Sequence, residues 1–552
     1  MTGPPTPTDS PESPGRRQFL EQAAGLGFTA LLATSTGLNA CHSINSHNHI
    51  QGGMAGANHQ TGHLLRNPEK LPLPSRSLET EVLIVGGGIA GLSARRWLWQ
   101  HGLRDVLLVE MDNQTGGNSV SGQNAISAYP WGAHYLPIPD LRNRELLDFL
   151  KECHAITGFD PAGLPIYNEY YLCHDPEERL FINGHWQAGL VPEVGVPEAD
   201  KQQITRFFKL IEQLKHARGS DGKDAFAIPL GNSSTDENYR KWDAVSFETY
   251  LNEQQFTSTY LRWFLEYGCK DDYGSTLENT SAWAGLHYFA SRKGVAANAE
   301  PNAVLTWPEG NNFLVRQLEQ QAQSPVHSNR LVFSVQENER GVQVLCYDVL
   351  NKETVSIQAR KVLLATPQFI TQNLLKNRVS ADFQYSPWLV ANLTVSGLPQ
   401  GRGLPLCWDN VIYGSPSVGY VTATHQHLNI AEPQKVITVY WPLVQGPPAT
   451  ARQKAYETAY ETWVQQLLTE LETAHPGVMP YIHAVDCWIW GHGMIVPAPG
   501  FIWGESRRKA AQPINGKLFF AHSDLSGISI FEEAFYQGIR AAKEILEQND
   551  AA

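Results

Sequence analysis

An apolar run that leads directly into a glycine-rich turn most constrains how this chain of 552 residues can fold. Residues 82–85 form an apolar run of strand length, and the turn Gly86-Gly87-Gly88-Ile89-Ala90-Gly91 follows with the spacing Gly-x-Gly-x-x-Gly. A helical pattern covers 92–100, and a second apolar run, 106–109, ends at Glu110. Strand, tight turn, helix, strand and acid in this order are typical of an α/β unit that binds a dinucleotide.

Each part of this motif has a physical task. The first glycine allows the tight turn, the second lets the backbone approach a pyrophosphate, and the third lets helix and strand pack closely. The start of the helix offers free N–H groups and a positive dipole end to the phosphates, and the acid can accept hydrogen bonds from ribose hydroxyls. The alternative is an ordinary glycine-rich turn. The sequence predicts that the dinucleotide is held by Gly86, Gly88, Ile89, Ala90, Gly91 and Glu110.

Composition narrows the class of protein. The length favours two domains, and a hydrophobic content of 42% with 15 Trp indicates a packed globular protein. A formal net charge of −13 argues against nucleic acid and anionic membrane surfaces as partners. The 7 Cys include no Cys-x-x-Cys pair, and the 19 His lack the spacing of a metal site. We therefore expect a small-molecule substrate and no metal.

The first 41 residues are similar to an export signal. Arg16-Arg17 precedes an apolar stretch over 23–32, as in bacterial twin-arginine signals, and Leu38-Asn39-Ala40-Cys41 resembles a lipobox. The resemblance implies the twin-arginine machinery as a partner, a periplasmic location, and membrane contact only through a lipid on Cys41. The alternative is a disordered tail with a chance arginine pair. Residues 42–77, rich in Gly, His, Asn and Pro, are predicted to form a flexible linker.

The folded part is predicted to contain a nucleotide-binding domain made from three separated segments. These are 78–140, 300–375 and 511–550, and the insertions 141–299 and 376–510 form a second, α+β domain. The apolar spacing predicts one helix over 247–267 and another over 452–474.

This layout resembles the flavin amine oxidase superfamily, which includes amine oxidases, protoporphyrinogen oxidases and phytoene desaturase-like enzymes. The resemblance spans about 79–545 and implies an α/β fold with a Rossmann-like FAD-binding domain and noncovalent FAD. The family's second glycine turn matches Gly116-Gly117-Asn118, and the segment beside the flavin ring matches Gly132-Ala133-His134. The remaining FAD contacts implied are Val332 for adenine, Asp524 for the phosphate–ribityl region, and Phe531 and Glu532 at the start of the last helix.

Several positions depart from the family pattern. Asn118 replaces the usual arginine of the second turn, and His522 replaces a glycine. The stretch 387–393 holds no lysine, and the two places where the family puts aromatic residues around an amine fall on Gly493 and Ile530. The family's usual amine cage is therefore not expected.

Three residues are the candidates for chemistry. Histidine ordinarily titrates near neutrality, and His134 would lie near the flavin, unless it only bonds a backbone carbonyl. Trp490 and His492 precede the last FAD segment and would line the substrate pocket, unless they only pack in the core. The segment 267–273, with Asp271 and Asp272, brings charge to the pocket mouth or ends a solvated helix.

The sequence favours an exported FAD-dependent oxidoreductase that takes a hydride from an amine or a C–C bond of a small molecule. One alternative is a desaturase or isomerase that acts on an apolar substrate. Another is a flavoprotein whose FAD is structural and which serves as a binding partner.

Overall fold

The computed structural model describes residues 50–56, 58–376, 382–428 and 432–550, with side chains described up to residue 548. The predicted export signal and Cys41 lie outside the described residues. Within those ranges, no helix has both the length and the apolar character needed to cross a membrane.

The described strands, in chain order, are β1 (Gln51–Ala55), β2 (Pro74–Val85), β3 (Val106–Val109), β4 (Ser121–Gln123), β5 (Ala128–Pro130), β6 (Tyr135–Pro137), β7 (Ile156–Phe159), β8 (Pro165–Tyr167), β9 (Glu178–Ile182), β10 (His185–Ala188), β11 (Val304–Thr306), β12 (Val326–His327), β13 (Arg330–Asn338), β14 (Gly341–Asp348), β15 (Glu353–Leu364), β16 (Tyr385–Val395), β17 (Asp409–Ile412), β18 (Tyr420–Thr422), β19 (Lys435–Pro442), β20 (Ile482–Ile495) and β21 (Leu518–Phe520).

The described α-helices are α1 (His59–Gly62), α2 (Ile89–Gln100), α3 (Arg144–Glu152), α4 (Glu198–His216), α5 (Glu237–Arg240), α6 (Phe247–Glu253), α7 (Thr259–Tyr273), α8 (Ala282–Ala290), α9 (Asn312–Gln320), α10 (Gln368–Leu375), α11 (Pro448–Glu457), α12 (Tyr460–Ala474), α13 (Glu505–Ala510) and α14 (Phe531–Asp550).

One sheet carries the glycine motif. Its order is β12-β3-β2-β15-β14-β13, and β21 also pairs with β15. Strands β12, β3, β2, β15 and β21 run parallel to one another. Strand β14 pairs antiparallel with both β15 and β13. Alternate residues of β2 enter different cores: Val82 and Ile84 join the helices on one face, and Leu83 and Val85 join a second cluster on the other. Burial on both faces explains the continuous apolar run in the sequence.

A second sheet has eight strands in the order β1-β20-β16-β19-β18-β17-β9-β10. Its strands come from the two predicted insertions and from β1. The long strand β20 lies between the edge strand β1 and β16. It pairs in parallel with β1 and antiparallel with β16. This sheet and the helices α7 and α8 provide several of the residues that face the cavity described below.

Close backbone contacts fix the first turn of α2. Gly86 has a φ of +107°, and a Cβ placed on Gly91 would lie 2.0 Å from the Gly86 carbonyl oxygen. On the opposite side of the helix, a Cβ on Gly538 of α14 would lie 2.2 Å from the Ala90 carbonyl oxygen. Only glycine fits at these two contact points, so the spacing of the motif is a packing requirement as well as a signal for phosphate binding.

The flexible linker predicted for 42–77 is wrong over its described part. Residues 51–55 form β1, in register with 484–488 of β20, and β2 already begins at Pro74. Tyr460 Oη donates to the Val485 carbonyl oxygen at 2.7 Å beside this pairing. The glycine-rich composition that resembles a linker instead allows the strand to lie against β20, since a Cβ on Gly52 would lie 2.0 Å from the Val485 oxygen.

Two helices predicted as continuous are each broken. The helix expected over 247–267 is α6 followed by α7, because Gln255 has a φ of +57° and Ser258 caps the second helix by accepting from the Leu261 N–H at 3.3 Å. The helix expected over 452–474 is α11 followed by α12, with Thr458 in an extended conformation. Amphipathic spacing continues through both breaks, which explains the error.

The contact between α14 and α2 can be tested by Gly538→Ala. The added methyl group would collide with the Ala90 carbonyl oxygen, so we expect a loss of about 1–3 kcal/mol in the free energy of unfolding. Gly158→Ala is the control, since a Cβ there meets nothing within 4 Å. Urea unfolding of both variants measures the difference, and equal stability of the two would show that the helices are not held at this distance.

Candidate cofactor and substrate site

Two glycine turns meet to form the predicted phosphate cradle. Gly88 caps α2 without a side-chain hydrogen bond, and a Cβ on Gly88 would meet nothing within 4 Å. Gly116 N–H donates to the Gly87 carbonyl oxygen at 2.8 Å, and Gly117 begins a short 3₁₀ turn. The first turn of α2, with Ile89 and Ala90, therefore points its N–H groups toward open space beside glycine backbone. These residues fit a dinucleotide diphosphate.

Glu110 is held beside this cradle. Its Oε2 accepts from the Gly87 N–H at 2.6 Å, and its Oε1 accepts from the Asp112 N–H at 2.9 Å. Burial raises the pKa of Glu110 to about 7, although both backbone N–H groups act in the opposite direction. Each carboxylate oxygen retains a second lone pair, so Glu110 can still accept a hydrogen bond from a ribose hydroxyl group.

The second glycine turn also contacts the segment predicted to lie beside the flavin ring. Ala133 N–H donates to the Asn118 carbonyl oxygen at 2.8 Å, and a Cβ on Gly132 would lie 2.2 Å from that oxygen. Asn118 Nδ2 donates to the Gly493 carbonyl oxygen at 2.5 Å. The structure thus brings together Asn118, the 132–133 segment and the end of β20.

The predicted adenine contact belongs to the last strand in the order of the nucleotide sheet. Val332 is in β13, the last strand of the sheet order, next to a register shift between Val332 and Ser334. Its side chain is buried with Val109 of β3. The contact of Val332 with adenine stays a prediction.

Asp524 is bonded within the protein. Its Oδ2 accepts from Tyr385 Oη at 2.5 Å and from the Gln368 N–H, the first residue of α10, at 2.8 Å. His522 Nδ1 lies 2.9 Å from Oδ1. Burial raises the pKa of Asp524, but His522 and these hydrogen bonds outweigh it and hold the pKa below its ordinary value. Asp524 therefore ties the C-terminal motif to the start of α10.

Phe531 and Glu532 begin α14 and are both buried. Burial raises the pKa of Glu532 to about 7, although nearby Arg292 acts in the opposite direction. Arg292, whose charge acts on Glu532, lines the cavity described in the next paragraph.

His134 connects the cofactor motifs to a cavity. Its ring stacks on Tyr440 with centroids 4.4 Å apart. Burial lowers the pKa of His134 to about 4, so the ring is neutral near pH 7. His134 lines a cavity of about 190 Å³ whose aromatic walls are formed by Tyr135, Tyr267, Tyr288, Trp408, Tyr420 and Tyr440.

Two carboxylates of this cavity lie on neighbouring strands. Glu178 of β9 and Asp409 of β17 are register partners in a parallel pair, and both line the cavity. Tyr267 Oη donates to Asp409 Oδ2 at 3.5 Å. Burial and then Glu178 and Asp271 raise the pKa of Asp409 well above its ordinary value. Because like charges opposite each other are destabilising, this pair favours a proton or a cation between the strands.

A third carboxylate, Asp271 of α7, faces the same cavity. Its Oδ2 accepts from Tyr135 Oη at 3.3 Å and from Tyr288 Oη at 3.2 Å. Burial, with a further contribution from Asp272, raises the pKa of Asp271 to about 7. Asp272 differs, because it is paired with Arg292 at 2.7 Å.

The charge of Arg292 opposes the rise in the pKa of Asp271, but Arg292 forms its ion pair with Asp272. In the part of the chain that the structure describes, no basic side chain lies within ion-pair distance of Glu178, Asp271 or Asp409. Arg292 also lines the cavity, but its guanidinium is paired with Asp272. The segment 267–273 thus brings charge into the cavity and is not simply a solvated helix end.

Trp490 and His492 do not line this cavity, and their place in a substrate pocket stays a prediction. Trp490 Nε1 donates to the Trp131 carbonyl oxygen at 2.5 Å, and the ring of His492 stacks on Phe369 with centroids 4.0 Å apart. Neither residue is among those that face the cavity, whereas His134 is. Both lie near the end of β20 that Asn118 contacts.

Sequence reasoning missed Glu178, Asp409 and Tyr440. The strands that carry them are far apart in the chain, and no local motif marks them. The only available signal was an acid at the first position of two short apolar strands, Glu178 before β9 residues and Asp409 before β17 residues.

Comparisons with known proteins agree with the fold. Residues 84–153 match a family model described as an NAD(P)-binding Rossmann-like domain. A search of curated proteins finds no match. The chain is similar to the solved structure of wild-type putrescine oxidase bound to putrescine, with 16% identity, a TM-score of 0.61, and coverage of 85% of this chain and 100% of that chain.

Two further solved structures are similar. One is cyclohexylamine oxidase from Brevibacterium oxydans IH-35A, with 13% identity, a TM-score of 0.59, and coverage of 85% of this chain and 99% of that chain. The other is the CLA-producing fatty acid isomerase from P. acnes, with 15% identity, a TM-score of 0.58, and coverage of 84% and 98%. The predicted fold class, an α/β fold with a Rossmann-like domain, is confirmed.

The charge on Asp271 can be tested by stability. Because its folded-state pKa is about 7, the contribution of Asp271 to stability falls as the pH rises from about 4, where the unfolded group ionises, to about 7. We expect Asp271→Asn to have a Tm about 2 °C above wild type at pH 8, and no difference near pH 4. The control is Asp148→Asn on the exposed face of α3. Thermal unfolding across pH measures both, and a gain that does not depend on pH would contradict the assignment.

Proposed function

We propose that this chain is an FAD-dependent oxidoreductase that takes a hydride from an organic amine. The Rossmann-like domain, the meeting of its two glycine turns and the C-terminal Asp524 segment support FAD as the cofactor. The solved structures of similar fold include putrescine oxidase and cyclohexylamine oxidase. The cavity beside His134 supports a cationic substrate.

The observation that carries the proposal is the charge of the cavity. Glu178, which is solvent-exposed, and the half-buried Asp271 and Asp409 face one space of about 190 Å³. Arg292 lines the same space, but its guanidinium is paired with Asp272. Carboxylates in a low-dielectric site are stabilised as anions by an opposite charge, and aromatic rings also attract cations. An ammonium group enclosed by these acids and by tyrosine rings would satisfy both. A small amine therefore matches the chemistry of the cavity.

The residues of the cavity have separate roles in this proposal. Bound FAD supplies the hydride acceptor. A bound ammonium group would favour the charged forms of Asp409 and Glu178, whose pKa values are raised in its absence. Asp271 Oδ2, with its pKa near 7, can take up the proton that the amine must lose before it gives up a hydride. Tyr135 and Tyr288 hold Asp271 in place through their hydroxyl groups.

His134 acts as an uncharged wall. Its pKa near 4 keeps the ring neutral, so it does not repel an ammonium group. Its stacking on Tyr440, whose Oη donates to the Gly132 carbonyl oxygen at 2.9 Å, holds the flavin-side segment against the cavity.

The alternative of a desaturase or isomerase with an apolar substrate is less well supported. One structure of similar fold is a fatty acid isomerase. However, an apolar chain would leave the cavity carboxylates without partners, and a fatty acid would add another negative charge. A purely structural FAD would not account for the three acids that face a cavity next to residues 132–134, the segment predicted to lie beside the flavin ring.

Export is proposed from the sequence alone. Arg16-Arg17 and the following apolar stretch support transport by the twin-arginine machinery, and Cys41 supports a lipid-anchored mature form in the periplasm. Transport in the folded state would suit a chain that acquires FAD before it leaves the cytoplasm.

An anaerobic screen tests the function. Purified protein is mixed with diamines, monoamines, amino acids and apolar polyenes, and the flavin absorbance is followed. We expect bleaching by amines only. Bleaching by a polyene alone would favour the desaturase alternative, and protein that neither retains nor rebinds flavin would overturn the FAD assignment.

Asp271→Asn tests the role of the acid. Loss of a charged hydrogen-bonding partner should weaken amine binding by about 10- to 100-fold. In the wild type, affinity should rise as the pH passes through about 7, because Asp271 ionises there. Asp148→Asn, on the surface, should leave both unchanged. An Asp271→Asn affinity equal to wild type would remove Asp271 from the site.

The export proposal is tested by the mature N-terminus. Mass spectrometry of protein from a bacterial host with a twin-arginine system should show a chain that begins at acylated Cys41. Cys41→Ser should abolish the lipid and release the protein from the membrane fraction, whereas Arg16→Lys with Arg17→Lys should keep it in the cytoplasm. Wild-type protein that stays in the cytoplasm with residues 1–41 intact would contradict the proposal.

A further inference from the structure

The N-terminal part of the described chain is fixed to both sheets. β1 is anchored on β20, and Tyr460 Oη donates to the carbonyl oxygens of Gln51 at 3.4 Å and Val485 at 2.7 Å. Residues 58–66, here named the strap, then cross to the nucleotide sheet. Leu65 of the strap packs against the cluster that contains Val109 and Val332.

On one side, the strap contacts the turn that follows Glu110. The Asn58 N–H donates to the Asp112 carboxylate. A Cβ on Gly62 would lie 3.6 Å from Met111 Sδ, and Thr61 is buried. The strap therefore packs on the two residues that come directly after the predicted ribose-binding acid.

On its other side, the strap contacts α11, which packs on the end of β20. The ring of His59 lies 5.0 Å from the ring of Tyr456. Tyr456 in turn packs on β20, because a Cβ on Gly491 would lie 2.6 Å from its Oη. This is the end of β20 where the Gly493 carbonyl oxygen accepts from Asn118.

The strap thus joins the ribose side and the glycine-turn side of the predicted dinucleotide path. Asp112 Oδ1, two residues after Glu110, is buried without a hydrogen-bond partner among the described residues. A ribose hydroxyl is a donor of the kind that this oxygen lacks. Because a buried acceptor without a donor is unfavourable, Asp112 Oδ1 matches the hydroxyl group of a nucleotide ribose.

We propose that the strap closes over the adenosine half of bound FAD and slows its release. The inference rests on the proposed function, because it requires FAD in the dinucleotide site. The chain lacks the usual arginine of the second glycine turn, where Asn118 stands. Enclosure by a segment that is itself fixed to the second sheet compensates for this missing charged contact by hindering dissociation.

Neighbouring glycines of β1 provide a matched pair of variants. Gly52→Val places a Cβ 2.0 Å from the Val485 carbonyl oxygen at a φ of +119°, so β1 must leave β20 and the strap loses its anchor. Gly53→Val places its Cβ where nothing lies within 4 Å. We expect FAD to dissociate about tenfold faster from Gly52→Val than from wild type, and at the wild-type rate from Gly53→Val. The rise of flavin fluorescence after dilution measures the rate without any substrate.

A second pair tests the strap where it meets the nucleotide sheet. Leu65→Ala removes its apolar contact and should speed FAD release several-fold, whereas Leu73→Ala changes a leucine that is 88% exposed and should have no effect. If wild type holds FAD and both Gly52→Val and Leu65→Ala release it at the wild-type rate, the strap proposal fails alone. If wild type binds no FAD, the proposed function itself fails.

Discussion

Close backbone contacts hold the first turn of α2 in place, and the nucleotide domain depends on them. Gly91 lies against the Gly86 carbonyl oxygen, and Gly538 of α14 lies against the Ala90 carbonyl oxygen. These contacts bring strand, helix and the last helix together with no side chain between them. They also leave Gly88 at the helix start without a capping side chain, so the N–H groups that the fold cannot satisfy point to the place where a phosphate would bind.

Two acids of this protein have opposite net shifts in pKa, although burial alone raises the pKa of both. Asp524 is buried, yet its pKa is held below the ordinary value because His522, Tyr385 and the start of α10 all favour its charged form. Asp271 receives only two tyrosine hydroxyls and has another acid beside it, so its pKa rises to about 7. The first acid is thus a fixed anion that holds two segments together. The second is poised to exchange a proton or to bind a cation.

What could be predicted from the sequence follows from how local each signal is. The strand, turn, helix and acid from 82 to 110 are contiguous, so their arrangement was predictable from spacing alone. Glu178, Asp271 and Asp409 meet only through the pairing of β9 with β17 and the packing of α7, which no local pattern encodes. The same limit explains the wrong linker, because β1 is a strand only through its partner β20, more than 400 residues further along the chain.

The long strand β20 connects these features physically. Its first half holds β1, its whole length pairs with β16 of the second sheet, and its last residues accept from Asn118 in the glycine turn. A shift of β20 would therefore displace β1, which anchors the strap, and β16 of the second sheet. It would also displace the Gly493 carbonyl oxygen, which accepts from Asn118. Because Trp490 and His492 lie on this strand, their packing on Trp131 and Phe369 keeps it in register with the nucleotide domain. This packing accounts for two aromatic side chains that precede the last predicted FAD segment without facing the cavity.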